Sequence, residues 1–461
     1  MSGLEAVEIS FKEYHRTYRL RLDSEYYLKA FLANERFLNS KTKVKFFCKG
    51  RISNIKNVKL TKPFNYLEIA NVSLNGVTYS FTEIDCREIP DRATYILRND
   101  DIAVSTVRPN RNAVAFIQNA KRLVGTSGFT ILRVDKSKIS PHFLFVFCKT
   151  KYFITKLVRE NTATMYPAVS DYDVLNVSVP VFTEKFQQKI TQEIKTALQY
   201  IEESHSLYAA AEETLLSALG MTDFVPSEKN VSVKLLSESF GATARLDAEY
   251  YQRKYEYLFR RLSKLPCKKL GSLVSIMKSI EPGSECYGDE GISFVRVSDM
   301  TKFGIQQPAT KVPADIGQPH LYPKRGTVLL SKDGSVGIAY KVENDMTCVT
   351  SGALLHLTVK RDVLPDYLAL ILNSLIVQLQ AERDAGGSVI QHWKPSEIAD
   401  VIIPVLDAAA QQRITADVQR SFALRRKSEQ LLGSAKRAVE IAVEDGEESA
   451  ITWLRSQQKT I

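Results

Sequence analysis

"RLDSEYY", residues 21–27, returns as "RLDAEYY", residues 245–251, with one substitution in seven positions. Chance does not write the same seven letters twice in one chain, so the offset of 224 residues points to an internal repeat. Carried outward, the offset sets "SPHFLFV" from Ser140 against "LPDYLAL" from Leu364. It sets "VLNVSVPVF" (174–182) against "IADVIIPVL" (398–406), and "QQKIT" (187–191) against "QQRIT" (411–415). Between these anchors the register drifts by a few residues, as loop insertions require. "FNYLEIANV" (64–72) then resembles "ISFVRVSDM" (292–300), and "TSGF" (126–129) resembles "TSGA" (350–353). "DIAVSTVRPNRNAVAFI" (101–117) resembles "TVLLSKDGSVGIAYKV" (327–342). Two tandem copies of one module of about 220 residues account for almost the whole chain.

Each copy has the same internal order. An Arg/Asp/Tyr-rich lead, 21–38 or 245–262, predicts a helix. A strand-rich middle follows, with period-two segments such as "IAVSTV" and "VAFI" around a turn. Next come a strongly apolar helix (141–158 or 365–383), a polar loop, and a short strand ending in Val-Pro-Val or Ile-Pro-Val.

The last segment is amphipathic. Phe186, Ile190, Ile194, Ala197, Ile201, Tyr208, Ala211, Leu215 and Leu219 form one stripe down a helix that Gly220 would stop. Ile414, Val418, Phe422, Leu432, Ala435 and Val439 repeat it, with Arg425 standing where the first copy has Ile201. Each helix should run about 35 residues, roughly 50 Å at 1.5 Å per residue. Helices this long with a narrow apolar seam pair as coiled coils, and chain order favours an antiparallel pair. Ile190, Ile194, Leu198, Ile201, Leu215, Ile414, Val418, Phe422, Leu432 and Val439 are the candidates for helix pairing or partner binding.

The expected fold is therefore α+β. Two similar α/β domains, 1–180 and 226–404, are separated by long antiparallel helices at 181–225 and 405–461, the last with its tail. This is a coiled-coil dumbbell with pseudo-twofold symmetry.

Composition narrows the class. At 461 residues the chain exceeds one hydrophobic core. A net charge of +10 favours a polyanionic partner without demanding one. Six cysteines, at 48, 86, 148, 267, 286 and 348, include no CxxC pair and read as reduced thiols in a cytosolic protein. "MSGLEAVEIS" lacks the pattern of a signal peptide. The most apolar run, "YLALILNSLIVQLQA" (367–381), is shorter than a membrane span and contains Asn373, Gln378 and Gln380. A cytoplasmic location and no membrane partner are expected.

Two modules on such a rod would stand about 40–50 Å apart, near the ~34–36 Å repeat of the B-DNA major groove. The copies diverge most at two places. One is the hairpin tip, "RPNRNA" in the first copy and "KDGSVG" in the second. The other is the polar loop, "TMYPAVSDYD" (164–173) and "SVIQHWKPSE" (388–397). Arg108 and Arg111 could fork onto guanine O6/N7, and Asn110 and Asn112 could pair with adenine N6/N7. A solvated turn needing Asn for its backbone alone explains the same residues. Lys332 suits phosphate, which positions rather than specifies, and Ser335 lies beside it. Asp333-Gly334 is a hairpin signal in its own right. Gln391, His392, Trp393 and Lys394 suit groove contacts or stacking on an extruded base. Trp393 equally suits a cover over the domain edge. Tyr166 and Ser170 hold the matching places in the first copy. These twelve residues are the candidate DNA contacts. Asp23, Glu25, Asp247 and Glu249 read as a packed helix start with internal ion pairs rather than as catalytic carboxylates.

No phosphate-binding loop, glycine-rich cofactor loop, Asn-Pro-Pro-aromatic tetrapeptide or metal-ligand spacing of the six histidines is present. No catalytic residue, metal or cofactor is expected on this chain.

The "RLDAEYY" lead, the "SKDGSVG" hairpin, the "YPAVSDYDVLNVSVPV" element and the "FQQKI" helix after it resemble the specificity (S) subunit of type I restriction–modification enzymes. The resemblance spans about residues 1–445. It implies two target recognition domains, each followed by a long helix, that read an asymmetric bipartite site in double-stranded DNA across an unspecified gap. It implies two methyltransferase (M) subunits clasping the helices and carrying S-adenosylmethionine, with restriction (R) subunits as further partners. The specificity subunit itself does no chemistry. Two alternatives stay open: a non-catalytic scaffold with twin interaction modules on a coiled-coil adaptor, and an enzyme using a carboxylate such as Asp173 or Glu397 between the modules.

Overall fold

The computed structural model describes residues 7–11, 20–50, 52–58, 61–162, 166–227, 231–306, 308, 310–386 and 390–458. Thr164 and Met165 of the first polar loop, and Ser388 and Val389 of the second, lie outside the described residues, as do 459–461 of the tail. The fold is mixed α+β. The chain divides into two compact units, residues 1–202 with 425–461, and residues 203–424. The long helices, Glu184–Ala218 and Ala408–Asp445, each contribute residues to both units.

In the first unit, Ile102–Ser105 lies between Val114–Phe116 and Phe129–Leu132 in an antiparallel sheet. A second sheet orders Thr82–Ile84, Phe64–Leu67, Leu123–Thr126 and Ala93–Ile96, with Phe64–Leu67 parallel to Leu123–Thr126. The second unit repeats both themes. Val328–Ser331 lies between Ala339–Lys341 and Leu354–Val359, and Ile292–Val295 runs parallel to Cys348–Thr350. Its antiparallel sheet gains Val274–Lys278 as a fourth strand.

The segment expected as one apolar helix is two helices in each copy, Pro141–Lys149 with Lys151–Arg159, and Pro365–Asn373 with Leu375–Asp384. Thr150 and Ser374 break it at extended ψ values of 154° and 158°. The cause is a hydroxyl competing for the helix backbone. Thr150 Oγ1 donates to Phe147 O and Ser374 Oγ to Ile371 O, both at 2.7 Å. The leads are broken too, at Leu28 and Gln252, whose backbones are extended at ψ 141° and 143°. Ser24–Tyr27 and Ala248–Tyr251 are single 3-10 turns before the helices Lys29–Phe37 and Arg253–Leu262.

The repeated letters make repeated contacts. Arg21 forks onto Asp23 at 2.7 and 2.5 Å, and Arg245 onto Asp247 at 2.8 and 2.6 Å. Tyr27 and Tyr251 donate to the carbonyls of these arginines at 2.8 and 3.1 Å. Arg159 lies over the Tyr26 ring and Arg383 over the Tyr250 ring, at 4.1 and 4.9 Å. Asp23 and Asp247 thus serve structure, as internal ion pairs. Gln187 and Gln411 each donate to the carbonyl five residues earlier, Phe182 at 3.0 Å and Leu406 at 2.9 Å, which fastens the start of each long helix to the segment before it. The short strand expected there forms in the second copy, Ile402–Pro404, whereas the first copy has an isolated bridge between Ser178 and Lys43.

The long-helix stripes are buried. In the first unit Ile190, Ile194, Leu198 and Ile201 share a core with Leu432 and Val439. There Thr183, just before one helix, bonds Glu447 just after the other, and Ser428 Oγ donates to Ala197 O at 2.8 Å, so the pairing is antiparallel. In the second unit Leu215 shares a core with Ile414, Val418 and Phe422, and the Ser204 and Ser421 hydroxyls meet at 2.9 Å. Gly220, at φ +61°, ends the first long helix. The second stops at Gly446, and a separate helix follows at Glu447–Gln458.

Candidate nucleic-acid interface

The hairpin between the central strands and the polar loop, distant in sequence, are joined through their backbones. In the first unit Arg108 N–H donates to Pro167 O at 2.7 Å and Val169 N–H to Thr106 O at 2.9 Å. In the second unit Gly334 N–H donates to Gln391 O at 2.9 Å and Trp393 N–H to Lys332 O at 2.8 Å. The Thr-Ser-Gly turn abuts the same place, through Thr106 N–H to Gly128 O and Lys332 N–H to Ala353 O, each 2.9 Å. Each unit therefore builds one surface from three loops that main-chain bonds hold rigidly, the way a site that must present side chains is built.

Beneath the tip sits a latch. In the first unit Lys149 Nζ donates to Asn112 O at 2.7 Å and Leu74 O at 2.8 Å, and burial pushes its ammonium down to about 7. In the second unit Asn373 does the same work uncharged. It donates to Ala339 O at 2.7 Å and accepts from Ala339 N–H at 3.1 Å.

The twelve candidates divide on this scaffold. Asn110 and Arg111 are exposed at the first tip. Arg108 is half-buried in the left-handed conformation (φ +50°), with its guanidinium 5.9 Å from the centroid of the exposed Tyr166 ring. A non-glycine residue held there stores strain of about 1–3 kcal/mol, which clusters at functional positions. Ser335, Gln391, His392 and Lys394 are exposed in the second unit.

Four candidates have structural work. Trp393 is 1% exposed, among the largest buried side chains, so it is core rather than a stacking platform. Its backbone bond to Lys332 turns the indole inward, with Val169 as the buried equivalent in the first unit. Lys332 is 9% exposed and ion-paired with Asp333, which leaves it poorly placed for phosphate. Asn112 closes its turn at φ +54° and donates to Lys149 O at 3.1 Å. Ser170 caps the helix Asp171–Leu175 and exchanges hydrogen bonds with Asp173.

Reading the letters alone missed Arg92 and Ser127. Both are exposed, and Ser127 N–H donates to Arg92 O at 2.7 Å beside the first tip. The repeated Thr-Ser-Gly was the available signal, but it marks only a repeat anchor until Thr106 is seen to bond Gly128.

Asp173 helps cap a helix, and Glu397 accepts from Lys394 N–H at 3.1 Å at another helix start, so both carboxylates are engaged locally. A cavity of about 710 Å³ in the first unit is lined by Glu35, Lys43, Lys156, Arg159 and Glu160 among others. Its charges compensate one another, with Lys156 at 2.7 Å from Glu35 and 2.8 Å from Glu160. Among the described residues no group of three or more His, Cys, Asp or Glu could hold a metal, and no helix is long and apolar enough to cross a membrane.

No family model matches the chain. Over 136 residues it is 24% identical to the specificity subunit of the type I restriction enzyme HindI of Haemophilus influenzae, a match covering 28% of this chain. The chain covers 26% of that relative's length. Among solved structures, a chain from a type I restriction–modification system aligns over 88% of this chain and 96% of its own, at 20% identity and a TM-score of 0.32. The specificity subunit from Thermoanaerobacter tengcongensis aligns over the same shares, at 21% and 0.33. The S subunit from M. genitalium covers 90% and 95%, at 12% and 0.33. This chain is similar to the specificity subunits of type I restriction–modification enzymes.

Proposed function

We propose that the chain is the DNA-recognition subunit of a type I restriction–modification complex and performs no catalysis itself. One observation carries the reading. Both units keep the same scaffold contacts, yet they differ where hairpin tip and polar loop meet, "RPNRNA" with Tyr166 in one and "KDGSVG" with Gln391 and His392 in the other. Divergence greatest on a surface held by main-chain bonds suits two readers of unlike half-sites, in which side chains meet base edges. The net charge of +10 suits the phosphate backbone.

The rest of the proposal follows from that reading. The DNA site is bipartite and asymmetric. The long helices dock two methyltransferase subunits, which carry S-adenosylmethionine, with restriction subunits as further partners. The paired helices also set the gap between half-sites. The similarity to named specificity subunits supports these partners.

Selection of random duplexes by the chain with its methyltransferase partner tests the reading. The expected outcome is a split motif with a fixed gap, and a continuous motif or no enrichment would overturn it. Removing one turn from both long helices should change the gap and leave both half-sites intact.

A further inference from the structure

His392 stands out among the exposed groups of the second unit because it is aimed. Its backbone is bonded on two sides. His392 N–H donates to Gly386 O at 2.7 Å, Gly386 N–H donates to His392 O at 3.0 Å, and the neighbours Gln391 and Trp393 bond the hairpin tip. The next side chain, Trp393, is buried in the core and anchors the segment. Its imidazole Nδ1 lies 2.9 Å from Asp333 Oδ1, and the other carboxylate oxygen pairs with Lys332. The ring is still 63% exposed. The first unit has Ala168 and Val107 at the equivalent bridge, so this group belongs to the second unit alone.

The chemistry of the pair fixes the ring's proton. Burial pushes the Asp333 carboxyl up, but hydrogen bonds from Lys332 and His392 outweigh it and hold the carboxyl below its ordinary value. An ionised carboxylate only accepts, so Nδ1 carries the hydrogen. An imidazole that donates from Nδ1 and carries no second ring hydrogen presents a bare Nε2 lone pair on the side away from Asp333.

Resting on the proposed function, we infer that His392 Nε2 is a specificity-determining acceptor for the exocyclic amino group of a base, adenine N6 or cytosine N4, in the half-site read by the second unit. Those two amino groups are the donors the major groove presents. Asp333 is the positioning residue that sets the tautomer, and Lys332 fixes Asp333. Such a pair reads a donor and rejects guanine O6 or thymine O4, which would face a second acceptor.

The test uses the full chain assembled with its methyltransferase partner and duplexes carrying the selected motif. Each adenine of the second half-site is replaced in turn by purine, which lacks the amino group, and each cytosine by 2-pyrimidinone. With the wild-type complex, one replacement should weaken binding roughly five- to tenfold, the scale of one hydrogen bond. His392→Ala should bind the unmodified duplex correspondingly weaker and be indifferent to that replacement, while first half-site replacements act on both proteins alike. Asp333→Asn can donate to Nδ1 and move the proton to Nε2, so it should shift the preference towards guanine or thymine at that position. If His392→Ala remains as sensitive as wild type to every replacement, or weakens binding uniformly with a shallower salt dependence, the inference fails and the proposed function stands. If the wild-type complex selects no second half-site, both fail.

Discussion

Lys149 and Asn112 hold each other reciprocally. The lysine ammonium donates to Asn112 O at 2.7 Å, and the asparagine amide donates to Lys149 O at 3.1 Å. Burial pushes the ammonium down to about 7, against about 10.4 for an unfolded lysine. Between those values the unfolded chain binds one more proton, so this group's contribution to stability rises with pH across that window and is lost below about 7. Urea midpoints at pH 7 and 9.5 should therefore show wild type gaining on Lys149→Gln at the higher pH. An equal gain in both would refute the assignment.

The tip should separate binding from folding. Arg111→Ala removes an exposed side chain and should change stability by no more than about 0.5 kcal/mol, yet weaken specific DNA binding by about 1–3 kcal/mol if it forks onto a guanine. Asn112→Ala should lower the thermal midpoint instead, because alanine tolerates φ +54° less well and cannot bond Lys149. Calorimetry beside filter binding distinguishes the two.

Trp393→Ala should cost about 3–5 kcal/mol of unfolding free energy, as expected for a large buried aromatic. Denaturant titration checks this. A variant of wild-type stability that has lost only DNA affinity would show that the indole faces ligand.

The twin leads should behave as twins. Arg21→Ala and Arg245→Ala each remove a two-pronged bond to an aspartate and a bond to a carbonyl at a helix end, Asn161 O at 2.7 Å and Asp384 O at 3.5 Å. Each should cost about 1–3 kcal/mol. Hydrogen exchange should quicken near Arg159–Asn161 in one variant and near Arg383–Ala385 in the other.

Ile194→Ala in the long helix should cost about 2–5 kcal/mol, since the side chain is wholly buried. Gln188→Ala, on the same helix but bonded only to the exposed Glu184 at 3.0 Å, should cost under about 0.5 kcal/mol. Chemical denaturation of the two variants decides whether the stripe is core.

The letters alone carried the duplication, the order of elements within each copy, the two long helices and their buried stripes. Those features rest on local periodicity and on identity at a fixed offset, and both survive without coordinates. They also marked the hairpin tips and polar loops as the divergent places. What they could not carry was the direction of a side chain. Gln391, His392, Trp393 and Lys394 are adjacent, yet the backbone bridge at His392 sends neighbours to opposite sides, and only the Trp393–Lys332 backbone bond decides that the indole faces inward and the imidazole outward. The break at Thr150 was hidden for a similar reason, because a hydroxyl can cap a helix or ride along it. The pairing of His392 with Asp333 joins residues far apart in the chain, and tertiary packing alone brings such groups within hydrogen-bond reach.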